Sequence, residues 1–167
     1  MFLAVLLVLA GAELLYSNYA LTVSSYAVNS AKLSGSFRIV FLSDLHCREF
    51  GKENSRLLEK IAAQKPDLIV MVGDIIDENA DAQDVSNMCE LIQAAAEIAP
   101  VYFGMGNHEY NYIEKHDSDL TGKLAKAGAT VLDNAFLDLE INGSTSRVQI
   151  PEKSVAVLGQ VVIHAAE

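Results

Sequence analysis

Positive charge is scarce in this chain. Twelve Lys and Arg stand against 22 Asp and Glu in 167 residues, a formal net charge of −10. With no basic stripe to displace counterions, a nucleic-acid backbone is excluded as the main partner. A phosphate-bearing substrate is not excluded, because bound cations can invert the local charge of an acidic site. Cysteine is scarcer still. Cys47 and Cys89 lie far apart, with no Cys-x-x-Cys or Cys/His spacing, so no thiolate metal framework is present. Two free thiols are expected rather than a disulfide, which leaves the redox compartment open. Internal repeats and low-complexity segments are absent as well.

Apolar residues, by contrast, are abundant: 51% of the chain, with a mean hydropathy of +0.23. Part of that excess sits at the start, where residues 1–16 read MFLAVLLVLAGAELLY, interrupted only by Glu13. The stretch lacks the polar face of a surface helix and is shorter than the about 20 residues of a membrane span. No Lys or Arg precedes it, and Ser17-Asn18-Tyr19-Ala20 is a poor cleavage site. The reading is an uncleaved signal-anchor over residues 1–20, ahead of a cleaved signal peptide or a buried helix. Lys32 is the first basic residue, so the positive-inside rule assigns no orientation.

Beyond it, residues 21–167 read as one domain of α/β class. Residues 21–28 alternate loosely and predict a strand. Residues 38–42 and 68–72 are short continuous apolar runs, typical of strands buried on both faces. Between them, Asn54 is the expected N-cap of a helix running to Gln64, with Leu57, Leu58 and Ile61 on one face and Pro66 as its stop. A second helix is expected over 84–99, with Val85, Met88, Leu91, Ile92 and Ala95 inward and Pro100 ending it. A third strand follows over 101–103, then a helix over 119–127 closed by Gly128. Short strands are expected at 130–132, 136–141, 147–150 and 155–158, with Asn142-Gly143 as a hairpin turn.

Each of the three buried strands runs straight into a polar cluster: Ser43-Asp44-Leu45-His46, then Gly73-Asp74-Ile75-Ile76-Asp77, then Gly106-Asn107-His108-Glu109. In open α/β sheets, ligands bind beyond the carboxyl ends of the strands, so neighbouring parallel strands would bring the three clusters to one crevice. Carboxylate, imidazole and amide oxygen are ligands for Mn, Fe, Zn or Mg. Asp44 and His46, two apart on an extended segment, would point the same way and share one cation. Asp74 has two oxygens and can bridge a pair of ions. Gly73 and Gly106 permit sharp turns where strand meets ligand. One Asp-x-His alone is ordinary loop chemistry; three clusters in order after buried strands are not.

The set Asp-x-His, Gly-Asp-x-x-Asp and Gly-Asn-His-Glu resembles the calcineurin-like metallophosphoesterase family, and the apolar start with Ser-Asp-Leu-His resembles its bacterial membrane-associated or exported phosphodiesterase branch. That resemblance implies a layered metallophosphoesterase-type sandwich and a two-metal hydrolase of phosphodiester, phosphomonoester or pyrophosphate bonds. Asp44 and His46 would hold the first metal, Asp74 would bridge, and Asn107 would bind the second. His108 would protonate the leaving oxygen, with Asp77 orienting its ring. The implied setting is a bacterial cell membrane, with a small phosphoester or a lipid-linked substrate. The family's later Gly-His-x-His does not occur here, and His164, following a short apolar run, matches poorly. The resemblance thus covers residues 37–158, the N-terminal portion of the usual domain, which implies a fragment or a truncated gene, with exposed sheet edges and marginal stability. A metal-poor, non-catalytic remnant or binding module is the alternative. Among the remaining polar residues, Glu109 reads as a supporting or capping residue, Cys47 as a structural thiol, Tyr110 and Tyr112 as packing or pocket residues, and His116 and Asp117 as solvated loop.

Overall fold

The structure, a computed structural model, describes residues 5–6, 11, 21–27, 36–141, 144–150 and 161–165. Its elements are β1 (Val23–Ala27), β2 (Arg38–Leu42), a 3-10 turn (Lys52–Asn54), α1 (Ser55–Ala63), β3 (Leu68–Val72), α2 (Ala82–Ala96), β4 (Val101–Gly104), α3 (Asn107–Lys115), α4 (Leu120–Lys126), β5 (Ala129–Val131), β6 (Ala135–Ile141), β7 (Ser144–Ile150) and β8 (Val161–Ala165). One sheet has six strands in the order β1-β8-β2-β3-β4-β5, and β6 and β7 form a separate antiparallel pair. From β2 to β5 every pairing is parallel. This is a mixed α/β fold built around a parallel sheet.

Period-2 alternation sorts the central strands into two faces. Val40 and Leu42, Ile69 and Met71, Val101 and Phe103 meet Leu57 and Ile61 of α1, Val85, Met88 and Ile92 of α2, and Leu120 and Leu124 of α4 in one large core. Leu68, Val70 and Tyr102 turn to the other face and form a smaller cluster with Leu132, against which the half-buried Ile39, Phe41 and Val72 pack. That second face is therefore less completely covered than the helical one. At the sheet's edge, Tyr26 of β1 is exposed.

The helices begin for local reasons that differ. Asp81 caps α2 by accepting from the N–H groups of Gln83 and Asp84 at 2.7 and 2.9 Å, while Asp84 accepts from Asp81 N–H, a complete capping box. The helix accordingly starts two residues before the expected position. Asn54 precedes α1 as expected but does not cap it. Its backbone is left-handed (φ 58°), and its Oδ1 accepts from Phe50 N–H at 3.0 Å instead. Helix α3 has no counterpart among the expected elements. The expected strand at 155–158 and the turn at Asn142-Gly143 lie outside the described residues, although β6 and β7 pair from Ile141 with Ser144 outward, as a two-residue connection requires. Most of residues 1–20 also lies outside them. Among the described residues, no helix is long and apolar enough to cross a membrane.

Candidate metal centre

Because β2, β3 and β4 are adjacent and parallel, the loops that follow them leave from one edge of the sheet. The loop after β2 is not the extended segment expected for Asp44 and His46. Asp44, His46 and Cys47 all take left-handed backbone angles (φ 54°, 46° and 58°), as does Asp74 after β3 (φ 53°). Residues with a Cβ hold that conformation only where surroundings impose it. Here the imposition is a backbone zipper between the two loops: Asp44 N–H donates to Gly73 C=O at 3.3 Å, His46 N–H to Asp74 C=O at 3.0 Å, and Cys47 N–H to Ile75 C=O at 2.9 Å.

The third loop is tied in by Glu109, which is fully buried. One carboxylate oxygen accepts from the N–H groups of Asp74 (2.8 Å) and Gly106 (2.9 Å), and the other from those of Ile75 (2.8 Å) and Ile76 (3.2 Å). The bond to Gly106 N–H also caps α3, so one side chain starts a helix and fixes the neighbouring loop. Burial pushes the Glu109 carboxyl above its usual range, while the N–H donors pull the other way. The backbones are pressed close at this point. A Cβ added to Gly73, which itself has φ 78°, would lie 2.4 Å from Gly106 N.

This framework gathers the candidate donors. His46, Asp74 and His108 each offer a ligand atom, and those atoms lie within 4.8 Å of one another. The two imidazoles meet edge to face at 4.6 Å between ring centroids. Asp74 is buried, and its Oδ1 accepts from His108 N–H at 3.0 Å. Asp44 Oδ1 lies 3.9 Å from His46 Nε2, and Asp44 Oδ2 is buried with no hydrogen-bond partner. A buried, unpartnered carboxylate oxygen is costly, and a cation is the partner that would satisfy it. With imidazole nitrogens and carboxylate oxygens converging, the residues fit a divalent metal. Asn107 opens α3 beside them with an exposed side chain.

Asp77 sits between the two imidazoles, with Oδ2 4.0 Å from His46 Nδ1 and 3.8 Å from His108 Nδ1. Asn79 N–H holds its carboxyl below the usual range, helped by the two imidazoles. The nearer neighbour of His108 Nδ1 is the N–H of Glu78, at 3.1 Å. No sequence motif points to Glu78. The available signal is a spacing on α3, where His108, Asn111 and Lys115 recur at the helical repeat and all reach residue 78.

Cys47 Sγ accepts from Asp77 N–H at 3.2 Å, and burial pushes its thiol upward, as suits a structural role. Tyr112 is buried in the main core, whereas the Tyr110 hydroxyl bonds to Asp133. His116 stacks obliquely on Tyr112, and Asp117 pairs with Lys123. His164 falls within β8 rather than after it; its backbone pairs with Ile39, toward the amino end of β2 and away from the Asp44 loop.

A family model described as calcineurin-like phosphoesterase matches residues 37–160. An uncharacterized metallophosphoesterase of Aquifex aeolicus is 34% identical over 149 residues, covering 83% of this chain and 52% of that protein. The uncharacterized metallophosphoesterase Cj0846 of Campylobacter jejuni is 31% identical over 122 residues, covering 70% of this chain and 32% of its own length. The chain thus spans about half, or less, of the curated relatives it matches. Among solved structures, TT1561 of Thermus thermophilus aligns with 71% of this chain and 50% of its own at a TM-score of 0.47 and 11% identity.

Proposed function

Since the chain belongs to the calcineurin-like phosphoesterase family, we propose that it carries the catalytic end of a hydrolase acting on phosphate monoesters, phosphodiesters or pyrophosphates. The observation that carries this reading is the convergence of ligand atoms from His46, Asp74 and His108 within 4.8 Å of one another; the buried, unpartnered oxygen of Asp44, whose other oxygen lies 3.9 Å from His46, supports it. Asp44, His46, Asp74 and Asn107 would hold two divalent cations, which when bound supply Lewis acidity toward phosphoryl oxygens and water. His108 is the proton donor to the leaving oxygen, with Asp77 Oδ2 3.8 Å from its Nδ1. Asp77 faces both imidazoles and orients their rings. Glu109 keeps the second and third loops at a fixed separation, so that donors from different strands need no rearrangement to meet.

The apolar run of residues 1–16 supports the further proposal of a membrane-proximal protein with an envelope or lipid-linked phosphoester as substrate. Loss of the chain from the membrane fraction on deleting residues 1–20 is the expected outcome; unchanged fractionation would reject it.

The alternative reading is a metal-poor binding module, in which the same donors meet without turnover. Hydrolysis of an aryl phosphodiester by the full chain in Mn²⁺ separates the two. The enzyme reading expects turnover that Asp74→Ala reduces at least about a hundredfold. Equal inertness of both proteins, each folded, supports the binding module.

A further inference from the structure

Helix α3 carries Asn107 at its first position, yet little packing fixes the direction it takes. Only Glu109 and Tyr112 are buried in it. Polar contacts with the loop after β3 hold its first turn. Glu109 accepts from the N–H groups of Asp74, Ile75 and Ile76, and the backbone N–H of His108 donates to Asp74 Oδ1 at 3.0 Å. Contacts at one end set where a helix starts but leave its tilt open, and the tilt aims the Asn107 side chain.

A second anchor lies toward the far end. Asn111 Nδ2 donates to one Glu78 carboxylate oxygen at 2.8 Å, and Lys115 Nζ lies 3.0 Å from the other. Residue 115 stands about 10 Å along the axis from residue 108, so the loop that carries Asp74, Asp77 and Glu78 is pinned to α3 at two separated points. Lys115 shows what such an anchor could do. As a charge alone, it repels any cation bound at the carboxyl edge. As an anchor, it favours that cation by keeping the donors of two loops in register. The two roles differ in sign.

We infer that Asn111 and Lys115 are positioning residues: by gripping Glu78 they latch the far part of α3 to the loop after β3, and so hold Asn107 and Asp74 at the separation a divalent cation needs. The cation rests on the metal-centre reading given above; the latch between helix and loop does not. Neither residue touches an ion or a substrate in this scheme.

The test is Mn²⁺ binding by the full chain, with the free ion followed by electron paramagnetic resonance. Lys115→Met and Asn111→Ala are each expected to bind about three- to fivefold more weakly than wild type, the share that one partly exposed contact maintains. Lys115→Arg, which keeps the ion pair, is expected to bind like wild type. Lys123→Met deletes the same charge from the Asp117 pair on α4 and is expected to weaken nothing. Tighter binding by Lys115→Met would show its charge acting alone and overturn the inference. Undiminished binding by Asn111→Ala, or an equal loss in Lys123→Met, would overturn it too. Neither Asn111 nor Lys115 is buried, so the variants are expected to fold.

Amide hydrogen exchange on the metal-free chain separates the latch from the metal. The amides of Asp74, Ile75 and Ile76 are expected to exchange about three- to fivefold faster in Lys115→Met and Asn111→Ala, and at the wild-type rate in Lys123→Met. A chain that takes up no Mn²⁺ yet shows this acceleration loses only the metal-centre reading. Exchange unaccelerated in both latch variants overturns the inference.

Discussion

The two edges of the parallel sheet are built from different materials. At the amino edge, α1 and α2 end ahead of Pro66 and Pro100, and the chain re-enters the sheet through short connections. Asp67 bridges there, accepting from Arg38 N–H at 2.6 Å while its own N–H donates to Arg38 C=O at 2.8 Å. In these two connections, Lys65 alone among the described non-glycine residues has a left-handed angle. At the carboxyl edge, Asp44, His46, Cys47 and Asp74 are all left-handed, Glu109 is buried with four N–H donors, and Asp44 retains an unpartnered oxygen. Both edges are satisfactory ways to turn a chain. Only one concentrates strained backbone and buried polar atoms, and such a concentration persists where the surrounding structure over-determines it and points to function.

Breaking the clamp should give the largest effect. Glu109→Ala strands four buried N–H groups and is expected to lower unfolding free energy by about 3–5 kcal/mol, measured as a shifted urea midpoint. Glu109→Gln, which keeps an acceptor, should lose clearly less. Next comes Gly73→Ala, which puts a Cβ into the backbone of Gly106 at a left-handed angle; about 2 kcal/mol is expected from the same titration. The matching lesion at the amino edge, Asp67→Ala, removes the acceptor of Arg38 N–H and should cost only about 1 kcal/mol. If Asp67→Ala proved as damaging as Glu109→Ala, the contrast between the edges would fail.

The difference also explains what could be read in advance. Strands β2 and β3 have the bounds their apolar runs predict, because a continuous run such as Leu-Ile-Val-Met-Val has few ways to be buried other than as a central strand. The five inward residues of α2 likewise follow helical spacing. Helix α3 offers no such stripe: only Glu109 and Tyr112 are buried in it, and one of them is a carboxylate whose partners, Gly106 apart, lie more than thirty residues earlier. The residues of the candidate metal centre stand out in the sequence as clusters, but their geometry does not. Asp44 and His46 converge on the site from a tight left-handed turn imposed by carbonyls of Gly73 and Asp74, contacts no local pattern encodes. Asn54 shows the reverse error, a good capping residue whose side chain is occupied by Phe50 N–H.

The smallest expected effect is one of titration. Lys115 and Asn111 hold the Glu78 carboxyl below its usual range, and Lys123 does the same for Asp117. A carboxyl whose folded-state pKa is depressed adds stability above its unfolded value and loses it as pH falls through the folded one. Melting temperature should therefore decline as pH drops below about 4, and Asp117→Asn should flatten part of that decline. An identical pH profile in the variant would remove Asp117 from the account.

Central to everything is the claim that donors from three separate loops close on divalent cations at the carboxyl edge alone. Mn²⁺ titration of the full chain, followed by electron paramagnetic resonance of the free ion, tests it without reference to any substrate. Wild type and Asp67→Ala are expected to bind alike, and Asp74→Asn at least about tenfold more weakly. Uptake that is undiminished in Asp74→Asn, or no uptake by the folded wild type, would contradict it.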